Sequence, residues 1–208
     1  MPPYFIENSA LRLACYPEYG GKLFSLTERS TGTEFLLPPA AAYLSNSAGS
    51  VFEDSDRGGF DECLPSVAAC SASPHHLAVP DHGELWRTSW EIQNASAVEL
   101  SMSATCPCSE LQLARKATLD GSAIDFHYQL TNLGRETRNW LWSAHPLLFV
   151  EPGDQILLPD DIDEARVECS LSGEWKGDLL AQRPKRHFAD GQERHVLPAE
   201  FPLSLTFG

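Results

Sequence analysis

Two of the seven histidines stand apart from the rest. His82, in PDHGELWRTSWEI, and His145, in WSAHP, each sit beside a chain-bending residue, Gly83 or Pro146, at the end of an aromatic segment. Trp86 and Trp90 follow the first histidine, and Trp140 and Trp142 precede the second. An imidazole exchanges a proton near neutral pH, and an indole offers an apolar face with a polar edge. Together they suit a pocket for a sugar, which shows C–H faces and hydroxyls at once. The same pattern also describes core tryptophans beside hydrogen-bonded histidines, and the local sequence leaves both readings open. Candidate carboxylates lie nearby in the chain. RGGFDECLPSV places Asp61 and Glu62 after a glycine pair that lets the backbone approach a ligand closely, with Arg57 just before it. Glu84 stands two residues from His82, on the same face only if a strand runs through Gly83. His75, His76, His187 and His195 lie in polar or charged stretches and read as surface residues.

The elements that must position these groups are short. Fifteen prolines and 14 glycines break the 208-residue chain at close intervals, which favours strands and turns over long helices. Residues 10–16 and 22–28 read as two strands joined by a turn at EYGG, and a second turn follows at STGT. Residues 38–56 read as a loop that wraps over something. Three strands follow at 96–106, 111–119 and 123–132. In the last, Ile124, Phe126, Tyr128 and Leu130 alternate with polar residues, the period of a half-buried antiparallel strand, and His127 falls on the polar face. Trp140 and Trp142 share one face of the next strand, and Leu141, Ser143 and His145 the other. No repeat or low-complexity tract interrupts the pattern. The expectation is an all-β protein, a single domain over 1–208 with two sheets packed as a sandwich and few or no helices.

Composition narrows the partners. Fifteen basic against 29 acidic residues give a net charge of -14, a field that repels nucleic-acid backbones and anionic lipid surfaces. No apolar run approaches the roughly 20 residues that span a bilayer, and MPPYFIE lacks the features of a signal peptide. A cytoplasmic protein is expected. Its six cysteines show no C-x-x-C pair and read as small buried thiols. FVEPGDQILLP resembles the Pro-Gly-Asp turn of cupin barrels, but the sequence holds no His-x-His pair, so neither a metal nor another cofactor is expected.

Four stretches in order resemble the galactose mutarotase (aldose 1-epimerase) superfamily: YPEYGGKLFSLTERSTGTEFLL, PDHGELWRTSWEI, LARKATLDGSAIDFHYQLTNLG and WSAHP. The resemblance implies a large antiparallel β-sandwich that binds a pyranose and interconverts its anomers. It makes His145 the acid toward the ring oxygen and His82 a partner that positions the sugar. Asp61, Glu62, Arg57, Glu84, Trp86, Arg87 and Trp142 become the substrate-binding candidates. The family's general base is a glutamate near the C-terminus, which maps onto no residue here. The resemblance therefore implies a sandwich with its closing strands reduced, and Asp61, Glu62 or Glu84 standing in as base. A hexose-6-phosphate branch carries arginine four residues after the first histidine, where this chain has Trp86, with Arg87 one place on. An unphosphorylated sugar is the expected ligand. A sugar-binding module without activity is the alternative. Exposed edge strands would give such a shortened sandwich reason to form a homodimer.

Overall fold

In a computed structural model, residues 2–43, 50–72, 77–151 and 154–157 are described, together with the backbone of short strands between 165 and 207. The chain divides into two compact units, residues 1–149 and 150–208.

Among its described residues the first unit has nine strands: β1 (Tyr4–Glu7), β2 (Leu11–Tyr16), β3 (Lys22–Glu28), β4 (Phe60–Cys63), β5 (Glu91–Ala95), β6 (Glu99–Thr105), β7 (Leu111–Asp120), β8 (Ala123–Asn132) and β9 (Ser143–Pro146). They form a five-stranded sheet in the order β1-β2-β3-β4-β9 and a four-stranded meander β5-β6-β7-β8. Every pairing is antiparallel. No α-helix occurs among the described residues; two single 3-10 turns, Phe52–Asp54 and Leu85–Arg87, lie in the connections.

The sandwich follows from alternation. Leu11, Leu13, Cys15 and Leu23 point from the first sheet into a common core with Leu100, Met102, Leu111, Leu113, Ala117 and Leu119 of the second. Each leucine or methionine among them, fully buried, stabilises the unit by about 1.5–3 kcal/mol. On β8, Ile124, Phe126, Tyr128 and Leu130 pack against that core, while His127 is exposed. A two-residue turn with Gly121 at φ 54° joins β7 to β8, which pair over their full lengths.

The opening glycine pair serves a close approach. Gly20 and Gly21 both have positive φ, and a Cβ on Gly20 would lie 2.0 Å from the Trp86 carbonyl oxygen. One on Gly21 would lie 2.7 Å from the Trp90 ring. Only glycine lets the β2–β3 turn seat itself under the segment that carries His82.

Among the described residues, the second unit contains two three-stranded sheets. Gln155–Leu157, Glu193–Pro198 and Lys185–His187 form one; Gly177–Asp178, Ala165–Ser170 and Leu203–Phe207 form the other. His187 and His195 therefore lie on paired strands, and His75 and His76 lie outside the described residues.

Candidate functional site

The five-stranded sheet has a second face, and its side chains are far from ordinary. Tyr16 on β2 is the register partner of Lys22 on β3. Leu23 pairs with Phe60, so Lys22 stands next to Asp61. Asp61 on β4 is in turn the partner of His145 on β9. Tyr16, Lys22, Asp61 and His145 thus form one lateral row across four adjacent strands, all projecting from the face opposite the core. Cys63 and Ser143 form the next pair on that face.

A lysine at the start of a strand ordinarily reaches solvent. Here Lys22 is 2 % exposed, and its ammonium donates to Asp56 Oδ1 at 2.6 Å, Asp61 Oδ2 at 2.9 Å and the Gly58 carbonyl at 3.0 Å. Burying that charge is tolerable only because two carboxylates and a carbonyl meet it. Asp61 is 1 % exposed, its second oxygen has no hydrogen-bond partner, and burial pushes its pKa up to about 6 despite Lys22.

His82 arrives from a different stretch. Its backbone amide donates to the Val67 carbonyl at 2.8 Å, and Glu84 N donates to the Leu64 carbonyl at 2.7 Å. His82 and Gly83 both have positive φ, 57° and 73°. A Cβ on Gly83 would fall 2.2 Å from the Leu64 carbonyl oxygen, so this kink belongs to glycine. The kink delivers the His82 ring to within 5.0 Å, centroid to centroid, of the His145 ring. His82 Nδ1 donates to Asp81 Oδ2 at 2.6 Å, which fixes the ring's orientation. Phe52 lies flat on His82 at 3.8 Å and turns its edge toward His145 at 5.4 Å. Burial, with His82 and Lys22 nearby, lowers the His145 pKa to about 4, and its Nδ1 has no partner.

Buried polar atoms without partners are costly and few in folded proteins. Seven such side-chain atoms occur among the described residues. Four gather here: Asp61 Oδ1, His145 Nδ1, the Tyr43 hydroxyl and Trp86 Nε1. Tyr43, close enough to feel Asp56 and Asp61, stacks into a cluster with Tyr16, Tyr19 and Phe24. Trp86, 2 % exposed, sets its ring edge-on to Phe52.

The other expected residues fall elsewhere. Glu62 points into the core, 0 % exposed, and accepts from Arg115 Nη1 at 3.0 Å, the Tyr128 hydroxyl at 2.7 Å and Trp142 Nε1 at 2.9 Å. Glu62 and Trp142 are thus on the opposite face from His145. Glu84 is also enclosed, because no strand continues through Gly83; its carboxylate accepts from Cys108 N at 2.7 Å and Ser109 N at 3.2 Å. Arg57 is exposed, with its backbone at φ 49°. Arg87 is half-buried on a 3-10 turn, where strand alternation does not govern its direction. The cysteines divide: Cys15, Cys63 and Cys106 are buried, whereas Cys70 and Cys108 are exposed. Burial and the neighbouring carboxylates Asp61, Glu62 and Asp81 push the Cys63 thiol up to about 12, which disfavours the reactive thiolate even though Cys63 shares that face. Sequence reasoning missed Lys22, Asp56, Asp81, Phe52 and Tyr43. Of these, only Asp81, next to His82, carries a local signal.

The backbone matches known structures. A galactose mutarotase-like protein from Lactobacillus casei superposes with a TM-score of 0.66 at 16 % identity, over 95 % of this chain and 68 % of that one. The chain has the galactose mutarotase-like fold. A galactose mutarotase related enzyme from Lactobacillus acidophilus shares this mutarotase-like fold at a TM-score of 0.56 and 14 % identity, with 95 % of this chain and 63 % of that chain covered. A candidate aldose 1-epimerase from Escherichia coli K12 does so at 0.56 and 15 %, with 93 % and 66 % covered. The chain thus spans about two thirds of these mutarotase-like relatives. No protein-family model and no curated protein matches the sequence. No helix among the described residues is long and apolar enough to cross a membrane.

Proposed function

We propose that the protein is an aldose 1-epimerase-like enzyme that interconverts the anomers of an unphosphorylated sugar. The observation that carries this reading is the convergence of His82 and His145, from stretches 63 residues apart in the sequence, on a row that holds Asp61 opposite His145. Anomer exchange needs one group to take the proton of the C1 hydroxyl and another to protonate the ring oxygen. The C1–O5 bond then breaks, the aldehyde rotates, and the protons return as the ring closes.

The sequence resemblance gave His145 the acid role. A buried imidazole with its pKa lowered to about 4 is neutral at pH 7 and suits proton acceptance from the C1 hydroxyl. Asp61, raised to about 6, keeps its proton only below about pH 6, where it suits donation to the ring oxygen. Asp81 holds the His82 ring in place to position the sugar. The charge balance favours an uncharged substrate: Lys22, the cation of the row, is bonded to two carboxylates, and Asp81 adds a third.

A second reading, a sugar-binding protein without catalysis, is favoured by the Phe52 ring on His82 and by the 1 % exposure of Asp61, which close the proton-transfer groups from solvent. The deciding measurement is the anomerisation rate of freshly dissolved α-D-glucose and α-D-galactose by NMR at pH 5 and pH 7. Acceleration above buffer, greater at pH 5, supports the epimerase; buffer rates across several aldoses support the second reading.

A further inference from the structure

Among the described residues of the first unit, four strands lie at sheet edges, and three of them are blunted. β1 and β9 are four residues long, and β9 ends in Pro146. β5 carries a bulge between Ile92 and Asn94. Short length, proline and bulges are ordinary means by which an edge avoids further pairing. β8 has none of them. It is ten residues long, holds no proline, glycine or lysine, and runs in unbroken register along β7.

The phase of its hydrogen bonds follows from the hairpin. Asp120 and Ala123 flank the two-residue turn and so exchange both backbone bonds, and the pattern alternates from there. Asp125, His127, Gln129 and Thr131 therefore turn their N–H and C=O groups toward β7. The Leu133 amide, which donates to the Glu110 carbonyl at 3.0 Å, keeps the same phase. Ile124, Phe126, Tyr128 and Leu130 turn theirs outward, where no described strand meets them.

We propose that β8 pairs antiparallel with β8 of a second copy of this chain, about a two-fold axis at Phe126, so that two four-stranded sheets become one of eight. Charge chooses that register. An axis at His127 would set imidazole against imidazole, and one at Asp125 carboxylate against carboxylate. Axes at Ile124 or Tyr128 leave Asp125 opposite Ala123 or Thr131. The axis at Phe126 puts Asp125 opposite the partner's His127, twice by symmetry. Both positions are then non-hydrogen-bonded pairs, in which Cα atoms approach to about 4.5 Å and side chains lie closest. An imidazole N–H donates to a carboxylate whether or not the ring is charged. Asp125 and His127 are exposed, and β7 sets only Thr118 and Lys116 beside them, so the carboxylate that His127 lacks on β7 comes from the partner. On the inner face Phe126 meets its own copy and Ile124 meets the partner's Tyr128, aromatic and β-branched pairs that favour a sheet.

The net charge of -14 on each copy opposes association, but at about 0.15 M salt it is screened beyond about 8 Å, whereas strand pairing acts in contact. None of these residues belongs to the His82–His145 row, so the dimer stands or falls apart from the proposed epimerase activity.

Sedimentation velocity on the full chain at about 0.15 M salt, over roughly a hundredfold range of concentration, should show a reversible monomer–dimer equilibrium. Asp125→Lys and His127→Asp, at exposed positions, each abolish the opposite-charge pairing and should raise the dimer Kd by about tenfold or more. Mixed in equal amounts, the two variants should form a heterodimer of near wild-type affinity, because the mixed pair again sets opposite charges at both positions. A monomer across the whole range would overturn the inference. So would a dimer that both substitutions leave intact, or one that they disrupt and the mixture does not restore.

Discussion

Asp61 and Glu62 are consecutive residues on β4 with the same functional group, yet their surroundings could hardly differ more. The pleat sends Glu62 into the core, where Arg115, Tyr128 and Trp142 satisfy both its oxygens. Arg115 is itself braced by the Gly21 carbonyl, by Met102 sulfur at 3.2 Å and by the Trp90 ring at 4.9 Å. Asp61 faces the other way, with one oxygen on Lys22 and one without a partner beside an imidazole in the same condition. One side of the sheet spends its polar groups on each other. The other keeps two in reserve. A closed network stabilises and specifies a core, whereas an open one holds capacity for a ligand's hydroxyls and raises the pKa of its carboxyl.

The contrast can be broken most directly on the closed side. Glu62→Ala should cost about 3–5 kcal/mol in urea denaturation, since it strands the Arg115 charge, 2 % exposed, in the core. A loss below about 1 kcal/mol would show that Glu62 is no hub. On the open side, His145→Asn should slow anomer exchange by about 10²–10⁴-fold while the unfolding midpoint at pH 7 stays close to wild type. An unchanged rate removes His145 from proton transfer.

The acid limb of stability sharpens the comparison next. His145 has its pKa lowered from 6.5 to about 4, so its contribution is present above pH 6.5 and is lost as pH falls through about 4. The total is on the order of 3 kcal/mol. Asp61, raised from 3.8 to about 6, acts with opposite sign: its contribution is present below pH 3.8 and is lost as pH rises through about 6. Between pH 7 and pH 4, thermal melting should therefore fall less in His145→Asn than in wild type, and more in Asp61→Asn. Parallel curves for all three proteins would dismiss both shifts. The smallest effect belongs to Trp142→Phe, which removes one hydrogen bond to Glu62. It should cost about 1 kcal/mol with no change in anomerisation; a slowed rate would return Trp142 to the substrate.

The sequence made parts of this legible for a physical reason. Alternation in β8 set Ile124, Phe126, Tyr128 and Leu130 inward and His127 outward, and the same period put Trp142 and His145 on opposite faces. The β3 and β8 boundaries, Lys22–Glu28 and Ala123–Asn132, follow from the turns that bracket them. Lys22 was illegible because its burial depends on Asp56 and Asp61, 34 and 39 residues away. Glu84 was ambiguous because its direction hangs on the backbone of Gly83, and a glycine can continue a strand or kink it. Phe52 escaped notice in a stretch that reads only as a loop, and its stacking on His82 is a tertiary contact without local trace.

The left-handed backbone at His82 has a consequence for genetics. At φ 57°, a β-branched replacement adds about 1–2 kcal/mol of backbone cost to whatever the missing imidazole removes. A saturation scan scored by cell growth would then rank position 82 as intolerant even if the ring did nothing. Asparagine, which enters this region more readily than most residues, separates the two effects: function lost in His82→Asn belongs to the ring, and function lost only in His82→Val belongs to the chain.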